Sequence, residues 1–190
     1  MLKTPTQISE ECQKQITLLS NLRRVWAQHV WWSRLYILSI VYDLPYQDLI
    51  FNRTLRNSSD FFRFLERFYT PKQLKPIETL FEEYNKTKST YLYNKVAGNS
   101  YAASIYRKRW YEIADQLADL MYQLNPFLPP SRSKPLIYSL IEGTDSQVEN
   151  MLIGQTEKEI MFFDMIELEA YEFADFIATG MMSHFGSLPR

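Results

Sequence analysis

The segment HVWWSRLYILSIVY, residues 29–42, decides the fold of this chain. Its last thirteen residues, 30–42, are the most apolar run in the sequence, interrupted by Ser33 and Arg34. A membrane-spanning helix needs about 20 consecutive apolar residues, and this run falls short of that. It is also too aromatic to be left in water. The run is therefore expected in the packed centre of a helical protein, with His29, Trp31, Trp32 and Arg34 at its head.

Composition supports that reading. A chain of 190 residues is long enough for one domain, spanning 1–190, with a substantial core. Aromatic residues make up 15%, including thirteen Tyr and twelve Phe, whereas only five Gly are present. Long periodic stretches with so few glycines favour helices and argue against glycine-rich phosphate loops and nucleotide-binding βαβ units. The single Cys12 excludes an intramolecular disulfide and disfavours a cysteine-based zinc site. Residues 1–11 are polar and lack the basic-then-apolar pattern of a secretory signal, so a cytoplasmic protein with no transmembrane segment is expected.

Net charge is −1 but unevenly spread. From Leu140 onward ten acidic residues face two basic ones, which suggests an acidic last helix packed beside more basic earlier ones. The basic residues earlier in the chain (Arg23-Arg24, Arg53, Arg56 and Arg107-Lys108-Arg109) are scattered and carry no recognition motif, so no nucleic acid is expected as a partner.

The breaks between periodic segments are marked mainly by Pro, Asn and Gly. A long helix over 9–42 stops at Leu44-Pro45. A short piece over 46–56 follows, and Asn57-Ser58-Ser59-Asp60 caps a second short piece ending at Tyr69. Thr70-Pro71, an N-cap with proline at the first helical position, opens a helix to residue 96. A helix over 100–124 then ends at Asn125-Pro126, and 127–135 reads as a loop. A short helix over 136–141 stops at Gly143, and Thr144 or Asp145 caps another that breaks at Gly154. Thr156 with Glu159 forms a capping box for the last helix, which runs to about 184. The halves 9–96 and 100–185 share one plan, which suggests duplication. The fold class expected is all-α: a four-helix up-down-up-down bundle made of two similar helical hairpins, with short capping helices at one end.

Bundle helices carry apolar seams at steps of three and four residues. The first helix shows Leu18, Leu22, Val25, His29, Trp32, Tyr36 and Ile40; the last shows Ile160, Phe163, Glu167, Ala170, Ala174, Ile177 and Met181. His29 and Glu167 are the ionisable residues that break these seams. At 1.5 Å per residue they lie roughly 21 and 17 Å below the tops of their helices, with Trp110 and Tyr84 near the same level. The two are thus expected to meet, in one of three arrangements. One is a hydrogen-bonded pair that fixes helix register. Another is a divalent metal site of His29, Glu167 and Asp164. The last is a small-ligand pocket lined by Trp32, Trp110 and Tyr84 with His29 as its polar anchor. Arg34 is expected to stack on Trp31 or to pair with an acid of the last helix. No Glu-x-x-His occurs, which argues against a di-iron carboxylate bundle.

Between Leu22 and Phe185 the chain resembles a family of small all-helical proteins from spore-forming Gram-positive bacteria. The resemblance rests on His29 with Trp32, Ser33 and Arg34; Leu55-Arg56-Asn57 with Asp60; Arg109-Trp110-Tyr111 with Ala114-Asp115; Asn125-Pro126; Asp164; and Ala174-Asp175 with Gly180. That family has no known function, although some members carry the label acetylglutamate kinase. An amino-acid kinase needs an α/β sandwich with glycine-rich turns, and this chain offers neither. Glu167 stands where the family more often has His, and Ile113 where a polar Asn is common. The function expected is a non-enzymatic interaction or structural module with a protein partner, homodimeric through surplus aromatics such as Trp31, Phe61, Phe62 and Phe64. The alternative is a metal- or small-ligand-binding bundle centred on His29 and Glu167.

Overall fold

The computed structural model describes residues 9–188, so most of the polar N-terminal stretch and the last two residues lie outside the described part. Six helices follow one another: α1 (Glu10–Val41), α2 (Gln47–Leu65), α3 (Pro71–Val96), α4 (Ser100–Leu124), α5 (Pro130–Leu152) and α6 (Thr156–Phe185). The protein is all-helical, with no strand among the described residues. Consecutive helices pack on one another, α6 returns to α1, and α1 also touches α3 and α5. No helix among these residues is long and apolar enough to cross a membrane.

Several helix starts follow from local chemistry. Ser9 Oγ accepts from Cys12 N at 3.2 Å and Asn99 Oδ1 from Ala102 N at 3.3 Å, each satisfying an otherwise orphaned N–H. Thr70 and Gln73 form a full capping box ahead of Pro71. The α3–α4 connection turns through Gly98 at φ +73°, a left-handed conformation that glycine adopts without steric cost.

The short capping helices expected in each half are instead two full-length helices. Three sequence signals that read as breaks lie inside helices, two of them for tertiary reasons. Asn57 does not cap a new segment: it is buried inside α2, and its Nδ2 donates to Val25 O on α1 at 3.1 Å. Ser58 beside it is likewise buried and accepts from Asn85 Nδ2 of α3 at 3.3 Å. Polar side chains that would compete with the helix in isolation are thus engaged by neighbouring helices, although Asn57 Oδ1 stays without a partner. Gly143 does not end a helix either. A Cβ there would stand 2.7 Å from Ile166 Cγ1, so the glycine lets α5 and α6 approach closely. Pro135, expected in a loop, lies in the second turn of α5, where it removes only one helical hydrogen bond.

The Thr156–Glu159 capping box is also absent. Gln155 is the N-cap of α6 and makes no side-chain cap bond, while Glu159 turns inward and is 4% exposed. The core is built round Leu22, Trp110, Ile113, Ile141 and Val148, all nearly or completely buried. Phe61 and Phe62, expected as surplus surface aromatics, belong to that core. Trp31 does remain half exposed.

Gly180 marks the tightest approach at any of the glycines. A Cβ there would meet Leu128 Cδ2 at 2.4 Å and Phe127 O at 3.3 Å, and Leu128 is itself buried. Alanine normally stabilises a helix interior by about 1 kcal/mol relative to glycine. Here the overpacking outweighs that gain. Gly180→Ala should lower unfolding stability by about 1–2 kcal/mol, read as a shift of the urea midpoint at unchanged m-value.

Candidate functional site

Side chains from all six helices line a central cavity of about 90 Å³. Along α3 its lining runs from Ile77 to Lys88, a distance of roughly 16 Å at 1.5 Å per residue. Most of the wall is aliphatic or aromatic. The polar groups gather at the Lys88 end: His29, Ser33 and Arg34 from α1, Tyr84 and Lys88 from α3, and Thr144 and Gln147 from α5. No Asp or Glu is among the lining residues.

Lys88 is the least expected of these groups, being 4% exposed. Its Nζ donates to Ser33 Oγ at 2.9 Å, and no carboxylate among the described residues pairs with it. An ammonium carries three N–H donors, so a single hydroxyl leaves it undersatisfied. Burial pushes its pKa down from 10.5 to about 8, because removal from water disfavours the charged form.

Arg34 is compensated. Its guanidinium meets Glu159 of α6 through two contacts, at 2.5 and 2.9 Å, and lies 4.3 Å from the centre of the Phe163 ring. Gln147 Nε2 donates to the same carboxylate at 2.8 Å. This closed network joins α1, α5 and α6 and satisfies a buried acid.

His29 is held between aromatic rings, 5.5 Å from Trp26 and 5.6 Å from Phe81 by ring centres. Its Nδ1 has no hydrogen-bond partner, nor has Trp26 Nε1. Burial lowers the pKa of His29 well below 6.5, and the charge of Lys88 lowers it further. His29 is therefore a neutral imidazole at neutral pH. Tyr84 stacks on Phe81 and meets Trp110 edge-on, and burial raises its hydroxyl pKa.

The structure thus brings His29, Arg34, Tyr84 and Trp110 to one cavity and leaves Trp32, Asp164 and Glu167 off it. Glu167 accepts from Trp31 Nε1 at 3.0 Å and from Tyr171 Oη at 3.4 Å. Trp31 is only two residues from His29, so Glu167 does lie near that level, but on another side of α1. Two residues turn a helix by about 200°, which points Trp31 toward α6 and His29 toward Phe81. Trp32 is covered by Arg53, 4.7 Å from its ring centre, and Asp164 is exposed. The proposed ligand set of His29, Glu167 and Asp164 is therefore not assembled. Among the described residues no group of three or more His, Cys, Asp or Glu side chains is placed to hold a metal.

Lys88, Glu159 and Gln147 are the site residues that sequence reasoning missed. Glu159 was hidden by its fit to a capping box. Lys88 falls one turn after Tyr84 on α3, and nothing in the local pattern distinguishes it from a solvated lysine. Compared with protein-family models, curated proteins and solved structures, the chain matches none.

The two buried bases act on stability with the same sign but in different pH windows. Below pH 8 the folded state carries the full penalty of a charged Lys88. Between pH 8 and 10.5 it sheds a proton that the unfolded chain keeps, so stability rises with pH across that window. Lys88→Met should therefore stabilise the protein by about 2–3 kcal/mol at pH 7, and the gain should fade between pH 8 and 10.5 in denaturant titrations. His29 acts in acid. Below pH 6.5 the unfolded chain takes up a proton that the folded imidazole refuses, so stability falls as pH drops, and His29→Leu should remove that component.

Proposed function

We propose that the protein is a non-enzymatic small-ligand-binding bundle: an up-down ring of six helices that holds its ligand in the central cavity. The observation that carries this reading is the cavity itself, lined from every helix and ending in polar groups that the protein leaves partly unpaired. Native interiors are normally filled to crystal-like density, and a void of this size forfeits packing that Leu or Phe side chains would supply. Concave, mostly apolar sites with a few convergent polar groups are the usual form of small-molecule sites. The reading as an interaction module loses support from Phe61 and Phe62, which fill the core.

A neutral apolar probe tests the cavity without reference to charge. Xenon under pressure should raise the thermal midpoint by a few degrees, as expected for a ligand that binds only the folded state. Leu140→Phe, which fills the lumen, should abolish the shift while leaving the far-UV circular dichroism unchanged. No shift in the wild type, or an equal shift in the filled variant, refutes the reading.

A further inference from the structure

We propose that the ligand is a small anionic amphiphile whose carboxylate or phosphate head sits on Lys88 and Ser33 and whose apolar body lies along the cavity. This deepens the ligand-binding reading and rests on it.

The charge pattern of the cavity selects the sign of the head group. Two cations line it, Arg34 and Lys88, and no acid does. The Arg34 charge is engaged by Glu159. Lys88 has only the Ser33 hydroxyl at 2.9 Å, and His29 beside it is neutral, with an unpartnered Nδ1. A buried charge without a counterion is costly and is usually removed or paired. An anion arriving at Nζ supplies the missing pair and takes the remaining ammonium protons as charge-assisted hydrogen bonds. A neutral ligand would leave Lys88 as it is, and a cationic one would be repelled.

The remaining wall selects the body. Away from Lys88 the lumen is bounded by side chains such as Phe61, Leu117, Ile137, Ile177 and Met181, which offer dispersion contacts and few polar ones. Its volume of about 90 Å³ is roughly that of three waters, at about 30 Å³ each in the liquid. That fits a body of two or three carbons, as in a three-carbon acid, in place of a long acyl chain.

Isothermal titration of the full chain at pH 7 with propionate, propyl phosphate, 1-propanol and propylamine tests the inference. Propionate or propyl phosphate should bind about tenfold or more tightly than 1-propanol, and the better of the two identifies the head group. Lys88→Met, which should fold more stably than the wild type, should lose that preference while keeping or improving 1-propanol binding. Ser33→Ala should weaken the anions by a smaller factor. Equal binding of 1-propanol and the anions, preference for propylamine, or retention of the anion preference in Lys88→Met would each overturn the anionic head. Binding of 1-propanol would then still uphold the cavity reading. If none of the four binds, both the head-group assignment and the ligand-binding reading fail.

Discussion

Helix α1 has no free choice of rotation, and the arrangement of the rest follows from that constraint. It packs against α2, α3, α5 and α6, so its successive residues are assigned to different neighbours. Arg23 and Trp31 meet Asp175 and Glu167 on α6. Val25 offers its carbonyl to Asn57 on α2. Ser33 receives Lys88 from α3, and Tyr36 shares a hydrogen bond with Ser89 on the same helix. A rotation of α1 by even one residue, about 100°, would break these contacts together. The apolar run at 30–42 is thus the inner spine of the fold.

Because α1 is locked, polar groups end up inside a largely apolar lumen, and they are treated unequally. Arg34 is matched by Glu159 and Gln147 in a closed network. Lys88 is left with a single hydroxyl partner. The contrast carries the functional reading. A protein selected only for stability has no use for a buried, unpaired ammonium, since a methionine of similar volume would fill the same space without a desolvation penalty. A binding site does have a use for it, because the bound state supplies the counter-charge. On the proposed reading function and stability are linked: the group that weakens the empty protein is the one that would hold the ligand.

Much of the fold was legible along the chain. The outer helices, the Thr70-Pro71 start, the Ser100 start and the Asn125-Pro126 stop all stand where local chemistry puts them. The misread segments are instructive. Asn57, Gly143 and Pro135 look like breaks, yet two full helices run through them. In each of the first two the reason lies on another helix, Val25 for Asn57 and Ile166 for Gly143. The site was half visible. His29, Tyr84 and Trp110 were placed by periodicity and depth and Arg34 by its position among the aromatics, whereas Lys88 and Glu159 resembled an ordinary surface lysine and a capping glutamate.

The sequence by itself determined that the chain is helical, where most helices begin and end, and at what height along α1 a histidine would be buried. These are properties of neighbouring residues, set by backbone propensity, capping and the 3.6-residue repeat. Tertiary structure alone decided the azimuth: that Trp31 and not His29 faces Glu167, that Glu159 and not Glu167 is the buried acid, and that Lys88 enters the lumen. An apolar seam is a broad stripe and specifies rotation only to within about a residue. One residue is enough to exchange an inward side chain for an outward one, and only the packing of six helices against each other settles which it is.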